Sequence, residues 1–236
     1  MGRHFEVRAA AMAATAKAKS AIYMRASKEI YAAAKSGIPD PESNLALRSA
    51  IEKFRKTTPR EVIERAIEKA KGGDAIAYIS GRYEFFGPGG CFIVVDTLSD
   101  NVNRALTAVR TIVTRKGGKM GSVAYNFSYE AVLDFKGDDK VRQNVEDNLI
   151  LGDVNVLSVT YEAGEIEVLC APGDLEKAKG IIKGLGIADF DTAEVTFLPN
   201  QYVTLGPDDI EKMKTMLGEL NECEDVQNVY HNVDNI

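Results

Sequence analysis

Seven cations open the chain with almost no acids among them: Arg3, Arg8, Lys17, Lys19, Arg25, Lys28 and Lys35 are interrupted only by Glu6 and Glu29. Such an array suits phosphate contacts, which position a protein on a polyanion without reading bases. No set of Asn, Gln and Arg announces a major-groove code. The competing reading of the same residues is a basic solvent face on an alanine-rich helix. A second basic group, Arg115, Lys116 and Lys119, surrounds the glycines Gly117, Gly118 and Gly121, with Arg104 earlier in the sequence. It offers a place for a phosphate backbone, or simply a solvated helix end.

Glycine-rich loops can bring backbone N–H groups against phosphate, so the two glycine clusters were tested as phosphate loops. Gly87-Pro88-Gly89-Gly90 is followed by Cys91 and joins two β-rich runs, which fits a hairpin turn and not a P-loop. Gly117 to Ser122 has its lysine and serine at the wrong spacing and follows a helix, which fits a helix cap and loop. The histidines, His4 and His231, sit at opposite ends outside any metal-ligand spacing, and are expected to be solvent-exposed. Cys91, Cys170 and Cys223 are far apart and never form CxxC; they are expected to be small core residues. With no GxSxG elbow and no cysteine that has a histidine nearby in sequence, the expectation is a non-enzymatic protein with no metal and no cofactor.

The overall charge of −6 hides a polarity along the chain. Residues 1–72 hold 15 Lys+Arg against 8 Asp+Glu, residues 73–125 hold 6 against 4, and residues 126–236 hold 8 against 23. The acidic part is repelled by phosphate and orients the basic part toward a polyanion. No stretch approaches the roughly 20 apolar residues that cross a bilayer, and the opening lacks the apolar core of a signal peptide. A cytoplasmic protein with no membrane partner is expected.

The elements that must position these residues follow from periodicity. Val7 to Lys35 reads as helix, stopped by Gly37, Pro39 and Pro41, with Gly37 suited to the left-handed position past the helix end. A second helix follows Ser43-Asn44, with Leu47, Ala50, Ile51 and Phe54 on one face. A third starts at Thr58-Pro59-Arg60-Glu61, Thr58 as the cap and Glu61 as the capping-box carboxylate, and buries Val62, Ile63, Ala66, Ile67 and Ala70. Beyond Gly72-Gly73 the pattern becomes β-rich: a hairpin of Ala75–Phe86 and Cys91–Thr97, a helix from about Asn101 to Lys116, and a strand Ser122–Phe127. Then come strand Ala131–Phe135, helix 138–151, strands Val154–Tyr161 and Glu165–Cys170 about an Ala163-Gly164 turn, helix 174–185 and strand Glu194–Leu198. That β-α-β-β-α-β order is ferredoxin-like. The closing helix Asp208–Leu220 and strand Val226–Tyr230 are too small to stand alone and need an existing sheet. The fold class expected is α+β: an N-terminal helical bundle, then two α/β units, the last ferredoxin-like and inserted in the middle one. The expected domains are a basic helical domain at 1–72, a discontinuous α/β domain at 73–129 plus 200–236, and an acidic ferredoxin-like domain at 130–199.

Several strings resemble the YebC family in order along the whole chain. Gly37 to Asn44, with Leu47 to Ile51 and Pro59 with Ile63 to Ile67, is similar to its N-terminal domain. Tyr83 to Gly90 is similar to that family's YEGYGPGG hairpin, Asp100 to Arg104 to its DNxNR helix start, and Gly121 to Phe127 to its GSVAYxF strand; Asp225 to Asn232 resembles its end. Phe85 and Phe86 stand where the family has Gly-Tyr, the 118–121 loop is shorter, and His4-Phe5 replaces a Lys-Trp pair. The resemblance implies a three-domain α/β architecture, no enzymatic activity, and a DNA-binding transcriptional regulator. Mitochondrial and bacterial relatives imply an alternative, a translation factor on the ribosome that binds ribosomal RNA or tRNA and relieves stalling. A third expectation is a ligand-controlled interaction module built on the acidic ferredoxin-like unit. On the nucleic-acid readings, Arg3, Arg8, Lys17, Lys19, Arg25 and Lys28 contact phosphates, with Arg104, Lys116 and Lys119 alongside.

Overall fold

The structure, a computed structural model, describes residues 16–72 and 76–236. It divides into two compact units: Phe127–Asn200, and the described residues up to Asn126 together with Gln201–Ile236. In the second unit three helices come first: α1 Ala16–Lys35, α2 Leu45–Phe54 and α3 Arg60–Lys71. Their apolar stripes meet in one core of Ala26, Ile30, Tyr31, Leu47, Phe54, Ile63 and Ala66. Asn44 joins α1 to α2 with one side chain. Its Nδ2 donates to the carbonyls of Ala33 (2.9 Å) and Ile38 (3.0 Å), while its Oδ1 accepts from the Leu47 N–H at the start of α2 (3.0 Å).

That bond corrects one sequence expectation. Gly37 is not left-handed, because the Asn44 amide already satisfies a carbonyl at the end of α1. Thr58 does not cap α3 either. The capping position falls on Pro59 with no side-chain bond, the Thr58 N–H closes the preceding turn onto the Phe54 carbonyl (2.9 Å), and the Thr58 hydroxyl is buried without a partner.

The same unit continues with β1 Ile79–Phe86, β2 Phe92–Ser99, α4 Val102–Arg115 and the short β3 Lys119–Met120. It resumes after the other unit with α7 Pro207–Glu222 and β8 Val226–His231. Its antiparallel sheet has the order β3-β1-β2-β8, so the chain's last strand pairs with β2. Phe85, Ile93 and Val95 from the sheet pack with Val109 and Val113 of α4 and Met213, Met216 and Leu220 of α7. Asn232, 1% exposed, secures the closure: its Oδ1 accepts from the Phe92 N–H (2.8 Å) and its Nδ2 donates to the Gln201 carbonyl (3.2 Å).

The expected strand Ser122–Phe127 is absent. Residues Ala124–Asn126 form a 3-10 turn, because the Glu84 carboxylate accepts from the N–H groups of Val123 (2.6 Å) and Ala124 (2.7 Å) and withdraws them from any strand ladder. The strand begins instead at Phe127.

The unit Phe127–Asn200 contains β4 Phe127–Lys136, α5 Asp139–Leu151, β5 Val156–Glu162, β6 Glu165–Cys170, α6 Leu175–Gly184 and β7 Thr192–Pro199. The sheet order is β5-β6-β4-β7 with antiparallel neighbours, the split β-α-β arrangement of the ferredoxin-like fold. Ala131, Leu133 and Phe135 alternate along β4 toward Val145 and Leu149 of α5 and Ala178 and Ile182 of α6. The hairpin turn needs two left-handed residues, Ala163 (φ 51°) and Gly164 (φ 89°), as a two-residue connection between twisted strands requires. The fold class is therefore α+β, with a helical bundle, a first sheet and a ferredoxin-like insertion in it.

His231 overturns its sequence expectation. It is buried at the end of β8, where its Nδ1 accepts the Val233 N–H at 3.3 Å, and burial pushes its pKa down to about 4. The native state thus holds a neutral imidazole that the unfolded chain protonates near pH 6.5. A depressed folded pKa contributes stability above the unfolded value and loses it as pH falls toward the folded one. Denaturant titrations should therefore show stability falling between about pH 6.5 and pH 4 by roughly 3 kcal/mol from this group. In His231→Asn, which keeps an acceptor but cannot titrate there, that component of the slope should vanish.

Candidate nucleic-acid interface

The sequence-predicted cations divide into those with internal partners and those without. Arg3 and Arg8 lie outside the described residues, as does the side chain of Lys17.

Arg25 and Lys28, one turn apart on α1, both reach the end of α7 and the start of β8. Arg25 donates through Nη2 to the Asn221 carbonyl at 2.5 Å and to Asn221 Oδ1 at 3.4 Å. Burial lowers its pKa, but an arginine stays charged in any case. Lys28 Nζ donates to the Glu224 carbonyl (2.8 Å) and to Asp225 Oδ1 (2.9 Å).

Asp225 is 2% exposed and also receives Arg104, through Nε to Oδ2 (3.0 Å) and Nη2 to Oδ1 (3.0 Å). The two parallel bonds match the fork geometry of a guanidinium on a carboxylate. Arg104 further donates to Asp100 Oδ1 (2.8 Å) and Ser99 Oγ (3.2 Å). It is placed by Asn101, whose side chain caps α4 by accepting the Arg104 N–H at 3.0 Å. Burial pushes the Asp225 carboxyl up, yet the hydrogen bonds from Arg104 and Lys28 outweigh it and hold its pKa below the usual range. Arg25, Lys28 and Arg104 thus act first inside the protein, fastening α1 and α4 to the α7–β8 corner.

Lys116 is intermediate: its Nζ lies 2.9 Å from Glu219 of α7. Lys119 is exposed, with Nζ 5.6 Å from the centroid of Phe86. Lys19 is exposed on α1. Among the described residues neither Lys19 nor Lys119 is paired with a carboxylate.

Four further exposed arginines have no acidic partner among the described residues: Arg55 after α2, Arg65 on α3, and Arg110 and Arg115 on α4. Arg115 belongs to the basic group around Gly117 that the sequence already offered, whereas a run of cations with few acids draws attention to α1 and passes over Arg55, Arg65 and Arg110. The available signal was the helical period. Arg65 falls opposite the Ile63, Ala66 and Ala70 stripe of α3, and Arg110 follows the buried Val109 on α4. The resulting basic surface is distributed over α1, α2, α3 and α4.

Cys91 and Cys170 are buried, and burial pushes both thiols up to about 11, so neither carries appreciable thiolate at neutral pH. Among the described residues no cluster of His, Cys, Asp and Glu is arranged to hold a metal, and no helix is long and apolar enough to cross a membrane.

Residues 3–73 match the model of the TACO1/YebC protein N-terminal domain, and residues 78–233 match that of the TACO1/YebC second and third domain. The chain is 42% identical over 240 residues to the probable transcriptional regulatory protein YeeN of Escherichia coli K12, covering all of both chains. It is 40% identical over the same length, again with full coverage of both, to the protein of that name in Salmonella typhimurium. Among solved structures it is similar to a conserved hypothetical protein, Aq1575, from Aquifex aeolicus. The TM-score is 0.73 at 28% identity, over 91% of this chain and 89% of that one.

Asp225→Asn tests the clamp. The amide keeps the shape but leaves two cations facing a neutral group, and should cost about 2–3 kcal/mol of stability. Equilibrium denaturation measures it. Because the folded pKa of Asp225 is depressed, the difference from the parent protein should shrink as pH falls below about 4, where the unfolded carboxylate also protonates.

Proposed function

This chain belongs to the TACO1/YebC family, and we propose that it acts as a non-enzymatic, nucleic-acid-binding regulator of gene expression, a DNA-binding transcriptional regulator in the first instance. One observation carries the proposal: the exposed cations Lys19, Arg55, Arg65, Arg110, Arg115 and Lys119 lack acidic partners among the described residues. Cations already paired gain little from a phosphate, because a salt bridge must first be given up. Unpaired exposed ones gain the release of condensed counterions. The relatives' name, probable transcriptional regulatory protein, supports the same reading.

The chemistry is electrostatic and positional. Nothing in the set places an Asn, Gln or Arg group for base-edge readout, so affinity is expected to exceed sequence preference. The acidic remainder of the chain, 8 basic against 23 acidic residues over 126–236, disfavours phosphate and limits binding to the basic part.

If about six to eight phosphates are neutralised, the affinity for duplex or single strands falls with salt at a log–log slope of roughly −4 to −7. Replacing Arg55 and Arg65 together by alanine should reduce that slope by about 1–2, as should Lys17→Ala with Lys19→Ala. Arg25→Ala, by contrast, should lower stability and leave the slope alone. Fluorescence anisotropy over a salt series measures all three, and a slope unchanged in both double variants removes the helical domain from the interface. Sequencing the DNA and RNA crosslinked to the protein in growing cells then separates the processes. Promoter segments support transcriptional control, and a recovery dominated by ribosomal RNA and tRNA assigns the same basic surface to translation.

A further inference from the structure

A cavity of about 440 Å³ opens beside the Gly87–Gly90 turn, between the end of α4 and the first turns of α7. Its size falls within the roughly 300–1,000 Å³ of small-ligand sites. Its charged lining is Lys116, Lys119, Lys212 and Asp209. Part of the wall is bare backbone. Gly90 (φ 78°) and Gly117 (φ 87°) are left-handed, and a Cβ at either would meet nothing within 4 Å, so a ligand can approach the main chain there.

The lysines are held in place by different means. Lys116 is paired with Glu219 and Lys212 with Asp209, each at 2.9 Å. Lys119 instead lies over the Phe86 ring, its Nζ 5.6 Å from the centroid. Gly121 packs on that ring, where a Cβ would collide with the ring edge, and Gly118 packs on the Phe86 backbone, where a Cβ would come within 2.8 Å of the carbonyl oxygen. Phe86 and the shortened 118–121 loop, both departures from the family pattern, therefore act together: the loop has Gly121 where it crosses the ring, and it leaves Lys119 over the ring. Lys119 has no carboxylate partner among the described residues. The regulatory reading uses Lys119 only as one surface charge and has no use for a concave site.

We propose that this cavity is a phosphate-binding pocket, in which Lys119, the lining cation with no carboxylate partner among the described residues, holds the oxygens of a phosphoryl group carried by the end of a nucleic-acid strand or by a free phosphorylated small molecule, with the paired Lys116 and Lys212 adding positive potential beside it. Each of the three cations is a multiple donor with no fixed fork, as suits a tetrahedral anion better than a planar one. Asp209 lowers the affinity, because it competes for Lys212 and repels an anionic ligand.

The proposal stands independently of strand binding, because one probe contains no nucleic acid. Calorimetry on the full chain with pyrophosphate is run beside anisotropy with one oligonucleotide bearing either a 5′-phosphate or a 5′-hydroxyl. Lys119→Ala should weaken the phosphate-dependent signal roughly tenfold or more, the loss of a charge-assisted hydrogen bond. Asp209→Asn should strengthen it, a gain that misfolding cannot imitate. Lys119-dependent pyrophosphate binding without preference for the 5′-phosphate assigns the pocket to a small molecule; a 5′-phosphate preference abolished by Lys119→Ala assigns it to a strand end. If neither probe depends on Lys119, the proposal is overturned. Loss of binding by the 5′-hydroxyl oligonucleotide counts against the regulatory reading and leaves the pocket untouched.

Discussion

Asp225 has to be both buried and ionised, and much of the unit outside the ferredoxin-like insertion is arranged to permit that. An isolated carboxylate at 2% exposure would take up a proton; this one remains charged because a guanidinium from α4 and an ammonium from α1 reach it together. Its backbone takes part as well, since the Asp225 carbonyl accepts from the Leu98 N–H at 2.8 Å, next to where β8 joins β2. One residue thus links α1, the helix after the hairpin and the last strand. A buried ion pair of this kind is weak as a source of net stability and strong as a specifier, because any other docking of α1 would leave a charge unpaired.

The elements themselves were largely legible in the sequence. Leu47, Ala50 and Phe54 recur at helical spacing and are buried together; Ala131, Leu133 and Phe135 alternate and face the same pair of helices. Such patterns are local, and a window of ten residues contains them. The β-α-β-β-α-β order could be read because each of its elements has its own period and its own turn, Ala163-Gly164 being the clearest. What the sequence did not yield was long-range. Arg25 and Asn221 are 196 positions apart, Lys28 and Asp225 197, so no local pattern distinguishes these cations from solvated ones. His231 looked like a terminal residue, and its burial follows only from the pairing of β8 with β2. Strand propensity at Ser122–Phe127 lost to the carboxylate of Glu84, a competitor 39 positions away for the N–H of Val123.

The same distance effect changes how charge is to be read. The excess of cations over residues 1–72 is real, but excess and availability are different quantities. Lys53 lies 3.1 Å from Glu29, Lys35 donates to the Gly72 carbonyl, and Arg48 donates to the carbonyls of Pro41 and Glu42. Cations of this sort hold loops and helix ends, and their contribution to a phosphate interface is reduced by what they already bond. Arg55 and Arg65 are better placed, because both are exposed and no acid pairs with either among the described residues.

The strings that carry the family resemblance prove, one by one, to have structural work. Asn101 caps α4, Arg104 completes the Asp225 clamp, Glu84 collects the loop that follows Gly121, and Asn232 closes the chain's last strand onto the sheet. A motif of this kind identifies a fold more securely than a function, since it would persist in any protein that needed the same corner closed. The Gly87–Gly90 turn is the exception, because a simple hairpin could be made with fewer glycines and without an adjoining basic cavity. Gly89 is explained by packing, as a Cβ there would lie 2.7 Å from Leu205; Gly90 is left-handed with open space before it, facing outward for no reason of packing. Backbone that is exposed, conformationally specialised and next to unpaired positive charge has the properties of a contact surface, which is where the turn's role departs from that of the other motifs.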